Sequence, residues 1–251
     1  RQPSDVYKRQ ANISLKAMNR DSLNLGIKRL SFDEKASGFS LKKMSLKLVA
    51  NDKRTNIENF AIELPETSLK MDTIHLVYDS LKAFDQFSEP AHFSFSTLPS
   101  QITLKDISPF VPVLAHFKEP ITLDMQVKGT VDQLTCSHLE ITADDRQFRL
   151  SGDVSLQELS SPQDAYVYGK LSELSANSRG VGFLVRNLSS NYNGVPPLLE
   201  RLGDIDFRGE ISGYFTDLVT YGQLRTGLGN VKTDLKLSLI HISEPTRRTP
   251  I

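Results

Sequence analysis

The chain has 251 residues, of which 39% are hydrophobic and 24% charged, a balance typical of a folded protein rather than a disordered one. Its 30 basic residues offset 30 acidic ones, so the basic stripe that nucleic acid requires is absent and no nucleic-acid partner is expected. A single cysteine, Cys136, excludes an internal disulfide, and no apolar run is long enough for a membrane-spanning helix.

Taken in chain order, the opening RQPSDVYKRQ and the closing LSLIHISEPTRRTPI differ from everything between them. One coding of DVYKRQ, GAT GTG TAT AAG AGA CAG, has the reverse complement CTG TCT CTT ATA CAC ATC, which translates as LSLIHI, the residues Leu237–Ile242. One DNA element in inverted orientation can therefore encode both ends, which resemble a translated transposase sequencing adapter flanking an insert. Arg1–Gln10 and Leu237–Ile251 are expected to be adapter-derived and are set aside as expression tags are. The remainder, Ala11–Lys236, is expected to be an internal piece of a longer chain. Without Arg1, Lys8, Arg9, Arg247, Arg248, Asp5 and Glu244 it carries 25 basic and 28 acidic residues, a net charge of −3.

Within that piece apolar and polar residues alternate almost everywhere, the period of a strand with one dry and one wet face. ANISLKA, SLNLGIKRLSF, FSLKKMSLKLVA, NIENFAIELP, SLKMDTIHLVY, AHFSFSTLP and SQITLKDI carry it in the first half. PITLDMQVKGTV, CSHLEITA, RQFRLSGDVSL, AYVYGKLSEL, DIDFRGEISGYF and GQLRTGL carry it in the second. In PITLDMQVKG, Ile121, Leu123, Met125 and Val127 share one face and Thr122, Asp124, Gln126 and Lys128 the other. Turns are expected at Asn51-Asp52, Pro65-Glu66, Asp144-Asp145 and Ser151-Gly152, and links this short imply antiparallel neighbours. Helical periodicity is confined to Ser178–Leu188 and Pro196–Leu202, with a further turn near Asp106–His116. Gly129, Gly152, Gly169 and Gly209 each stand two residues before an apolar residue, at separations of 23, 17 and 40, so a ladder of hairpins fits better than a fixed solenoid period. The fold expected is all-β, an elongated curled antiparallel sheet built of hairpins around an open groove, with one or two short helical interruptions.

Chemistry-bearing motifs are sparse. Cys136-Ser137-His138 offers two of the three or four ligands that zinc needs. His75 falls on the polar face of a strand. RGVGFLV and TGLGNVK supply Gly180 and Gly182, and Gly227 and Gly229, without a third glycine or a βαβ setting, and they read as turns. Asp144-Asp145 point apart in an extended chain. Asn12-Ile13-Ser14 and Asn187-Leu188-Ser189 match the glycosylation pattern, which arises often by chance. No catalytic residue, metal or cofactor is expected, and the chain is not expected to be an enzyme.

The stretch VPPLLERLGDIDFRGEISGYFTDLVTYGQLRTGLGNVKTDLKLS resembles the TamB family of AsmA-like envelope proteins, especially its Bacteroidales-like members. The resemblance rests on Pro196-Pro197-Leu198-Leu199, Leu202-Gly203-Asp204-Ile205, Gly209-Glu210-Ile211-Ser212-Gly213 and Leu218-Val219-Thr220, and on KDISPFVPVLAHFKEPITLDMQVKGTVDQL upstream. It covers about a third of the insert on those motifs. It implies a cell-envelope, periplasmic protein, anchored in the inner membrane through a segment outside this stretch, whose curled sheet conducts phospholipid acyl chains between the two membranes. An Omp85-type outer-membrane barrel, met through regions outside this stretch, would be its partner in outer-membrane protein assembly. The groove lining would be Leu46, Leu48, Ile62, Leu64, Leu69, Met71, Phe93, Phe95, Ile121, Leu123, Met125, Val127, Ile141, Phe148, Leu150, Val154, Leu156, Phe207 and Ile211. The alternative reading of the same alternation is a secreted or surface adhesin, a β-sandwich or β-solenoid whose apolar faces pack against one another.

Overall fold

The computed structural model describes residues 6–19, 22–79, 91–110, 112–143, 145–161, 164–188, 194–214 and 217–238. Its first strands are β1 (Val6–Asn19), β2 (Ser22–Glu34), β3 (Ser40–Asn51), β4 (Arg54–Glu63), β5 (Ser68–Lys70), β6 (Ile74–Val77), β7 (His92–Ser96) and β8 (Ser100–Ile102). They are followed by β9 (Ile121–Gly129), β10 (Leu134–Ala143), β11 (Phe148–Gln157), β12 (Tyr166–Ala176), β13 (Ile205–Tyr214), β14 (Asp217–Thr226) and β15 (Gly229–Ser238). All belong to one 15-stranded sheet, and every pairing is antiparallel. Two α-helices, α1 (Ser178–Leu188) and α2 (Pro197–Leu202), and two 3₁₀ turns, Leu104–Ile107 and Pro112–His116, interrupt it. The protein is thus all-β, with short helical interruptions. Of the two flanks expected to be adapter-derived, Val6–Gln10 start β1 and Leu237–Ser238 end β15, while 1–5 and 239–251 lie outside the described residues.

The sheet is a meander with one broken lane. β4 pairs with both β5 and β6, and β9 with both β7 and β8. The register Ile57↔Ile74 continues as Ala61↔Lys70, four residues further along β4 and four back along its partner, so β5 and β6 are one strand interrupted at Met71–Thr73. SLKMDTIHLVY therefore pairs as one lane, but with a break that alternation alone does not reveal.

Irregularities of this kind share a line. Register shifts fall at Ile27/Leu30 on β2, Ser45/Lys47 on β3, Cys136/His138 on β10, Ser151/Gly152 on β11 and Leu171/Leu174 on β12. Between them stand Asn59, at φ 55°, and the isolated Met71↔Thr97 bridge. Followed from partner to partner, these points cross the strands near mid-length. A bulge bends its strand and steepens the local twist, so a row of them creases the sheet along an axis perpendicular to the strands. The turn expected at Ser151-Gly152 is one of these bulges, inside β11, because a side chain at Gly152 would land on the Lys170 carbonyl of β12.

Side-chain chemistry meets some of the other local expectations and overturns others. The Asn51 carboxamide oxygen accepts from the backbone N–H groups of Lys53 (3.0 Å) and Arg54 (2.9 Å), closing the β3–β4 turn. Asp145 begins the described part of the β10–β11 turn at φ 53°, while Asp144 lies outside the described residues. The tail of SQITLKDI is not strand: Thr103 ends the extended run, and Leu104–Ile107 close into a 3₁₀ turn. The glycines of RGVGFLV are helical rather than in a turn. Asn177 caps α1, accepting from the N–H groups of Arg179 (3.0 Å) and Gly180 (3.1 Å). Gly180 lets the helix lie against the β10–β11 turn, where a Cβ would meet the Gln147 carbonyl. TGLGNVK forms the β14–β15 hairpin.

Candidate apolar groove

Residues directly opposite one another on antiparallel strands project to the same side, so the register defines each face. Leu123, Ile141, Leu150, Leu174, Phe207 and Leu224 form one row across β9–β14. Parallel to it run Met125, Leu139, Gly152, Leu171, Gly209 and Gly222, and then Val127, Cys136, Val154, Gly169, Ile211 and Thr220. Gly129, Leu134, Leu156, Val167, Gly213 and Leu218 form the row at the Gly129 end of the strands, and Ile121, Ala143, Phe148, Ala176 and Ile205 the row at the other end.

The same face continues into the first half. Leu48 lies between Leu25 and Ile57, Leu46 faces Ile27, and Ile62 lies between Met44 and Leu69. Leu64 follows Ile62 by two residues, and Met71 follows Leu69 by two. Phe93 joins Leu76 to Gly129, Phe95 faces Val127, and the two rings stack at 6.2 Å between centroids. Every residue expected to line the groove thus projects from one face. Among them Leu64 (6% exposed), Val127 (9%) and Phe148 (6%) are buried, and the others are half-buried. At the β1 edge the face is open, with Ile13, Leu15 and Met18 exposed.

Two residues shape the crease. Gly209 and Gly222 are opposite one another, and a Cβ on either would strike the neighbouring strand's backbone, Tyr221 O or Arg208 O. The Phe207 ring lies over both glycines, 2.9 Å and 2.7 Å from where those Cβ atoms would be. It covers the bare backbone that the close approach requires.

The opposite face is ionic. Lys47 pairs with Glu58 (2.7 Å), Lys43 with Glu63 (3.5 Å), and Arg149 lies between Glu140 (4.0 Å) and Glu173 (3.9 Å). His75 shares this face and meets the Asn56 carboxamide at 3.0 Å.

One strand end of the apolar face is covered. Val181 and Phe183 of α1 pack on Ala143, Phe148 and Ala176, with Phe148 and Phe183 5.6 Å apart between ring centroids. Ile121, Ile141, Leu150 and Ile205 flank this cluster, as do Val195 and Leu199 from the second helical segment. Expected as open lining, Ile121, Ile141, Phe148 and Leu150 are here packed on or beside a helix, because α1 lies across their end of the strands. Arg186 grips Glu119, just before β9, through Nε (2.5 Å) and Nη2 (3.0 Å). Asn187 is 2% exposed: it donates to Phe183 O (2.8 Å) and accepts from the Glu119 N–H (3.2 Å). Its side chain is committed to tying α1 to the β8–β9 connection, which excludes it as a glycan acceptor in the folded protein.

The Cys136 thiol donates to the His138 backbone carbonyl (3.0 Å) rather than meeting its imidazole, and burial pushes its pKa up. Among the described residues no three His, Cys, Asp or Glu converge as metal ligands, and no helix is long and apolar enough to cross a membrane. Concavities lie at both strand ends. One of about 550 Å³ is lined by Arg146, Asn177, Asp204, Asp206 and Arg225, and one of about 410 Å³ by Val77, His92, Phe93, Lys128 and Thr135. No family model, curated protein or solved structure matches this chain.

Proposed function

We propose that this chain is part of a periplasmic scaffold whose apolar trough conducts phospholipid between the inner and outer membranes or assists outer-membrane protein assembly, in the manner of the TamB family it resembles. The observation that carries the reading is the pairing of one ionic and one continuous apolar face across the whole sheet, the apolar face being mostly half-buried outside the stretch that α1 covers, with Leu64, Val127 and Leu171 buried. A single-layer sheet with that division needs an apolar occupant. Acyl chains suit it, since each methylene leaving water contributes about 0.8 kcal/mol. Weak contacts repeated along the rows would let a chain slide across strands while its headgroup stays wet.

The test is photo-crosslinking in the presence of phospholipid, with the probe at Val154 on the apolar face or at the adjacent Asp153 on the ionic face. Adducts at Val154 and not at Asp153 support the trough. Crosslinks at Val154 to protein alone, in a folded monomer, would overturn it. They would favour a closed-core adhesin, the reading that the packed cluster beneath α1 suggests on a local scale.

A further inference from the structure

The two concavities differ in a way that bears on what the trough carries. The one containing Arg146 and Arg225 also holds Asp204 and Asp206, and the apolar row beside it is the one that α1 covers. The one at the opposite strand end, about 410 Å³, is lined by Val77, His92, Phe93, Ser94, Lys128, Gly129, Thr130, Gln133 and Thr135, with no carboxylate among the described residues that line it. Asp132, in the turn between Gly129 and Leu134, accepts from the Ser160 hydroxyl and from the Ser160 N–H (3.1 Å), bonds that hold it below the usual carboxylate range. The cavity has walls from both faces of the sheet: Phe93 belongs to the apolar side, whereas His92, Lys128 and Thr135 belong to the polar one. Beside it the apolar row through Leu134, Leu156 and Val167 is half-buried.

We propose that this strand end is a headgroup site for a phosphate-bearing lipid, with Lys128 and His92 meeting the phosphate and the acyl chains lying on the adjoining row at Leu134 and Leu156. The proposal rests on the trough reading and adds the lip on which the phospholipid headgroup travels and the residues that meet it. Charge complementarity selects the occupant. An ammonium gives a phosphodiester charge-assisted hydrogen bonds that a neutral lipid cannot accept with comparable strength. Ser94 and Thr135 supply neutral donors in the same cavity.

The test uses the full chain with a photo-crosslinking phenylalanine analogue at Leu156, exposed in parallel to dioctanoyl phosphatidylglycerol and to dioctanoylglycerol. Lys128→Glu combined with His92→Glu is expected to cut adducts from the phospholipid by about tenfold and to leave those from the diacylglycerol unchanged. Lys128→Met should fall between, and a thermal melt verifies that each variant is folded. Equal labelling by both lipids, unmoved by the charge reversal, would overturn the headgroup site while leaving the trough intact. Absence of adducts from either lipid would overturn the trough and the headgroup site together.

Discussion

Gly209 and Gly222 are where the backbones of β13 and β14 occupy the space of a side chain, and Phe207 seals the gap. Replacing Gly222 with Val forces the new methyls against Arg208 O and the Phe207 ring, an overpacking of about 3 kcal/mol. The expected result is a lower urea midpoint with an unchanged denaturant slope. Cys136 gives a second residue-scale test. Burial is the largest cause of its raised pKa, so less thiolate is present at any given pH than on an ordinary cysteine. Alkylation should be slower than that of a model thiol at neutral pH, and its rise with pH should be displaced upward. An alkylation profile indistinguishable from the model thiol would contradict the half-buried placement.

Helix α1 is held at both ends, by its Asn177 cap and by the Arg186–Glu119 pair, and in the middle by Phe183 in the cluster. Phe183→Ala is expected to cost about 3 kcal/mol by opening a cavity under the helix. Glu119→Gln should cost only about 1 kcal/mol, since the pair is partly exposed. Hydrogen exchange separates element from sheet: in Phe183→Ala the α1 amides should lose protection while those of β3 and β4 keep theirs. Both helices were legible in the sequence, α1 at its observed bounds, because 3.6-residue periodicity stands out in a chain that otherwise alternates. Where α1 lies was not legible. Periodicity gives a helix an apolar side without saying what it meets, so Phe148 and Leu150 read the same as Val154 and Leu156. The commitment of Asn187 was not legible for the same reason, since its two partners come from Phe183 and from the distant Glu119.

At the scale of the whole molecule, alternation was enough to give antiparallel hairpins and the division of faces, since register follows once each strand's dry side is assigned. The crease was not readable, because its parts are unlike one another: a glycine pair in β13 and β14, bulges in β10–β12, and a break between β5 and β6. They align only after pairing. The same pairing leaves β1 and β15 as the outer strands of the described sheet, and at β1 the apolar face ends in Ile13, Leu15 and Met18, exposed at 56%, 58% and 73%. An unpaired edge beside an exposed apolar strip is a template for another strand. The chain is therefore expected to self-associate as concentration rises, read as an increase in weight-average mass by sedimentation equilibrium. Leu15→Lys together with Ile13→Lys should shift the association to higher concentration by about tenfold, because each charge must be desolvated at the new contact. A chain that stays monomeric over that range, with or without the lysines, would mean that the β1 edge is already satisfied and that the apolar face is closed, as in a sandwich.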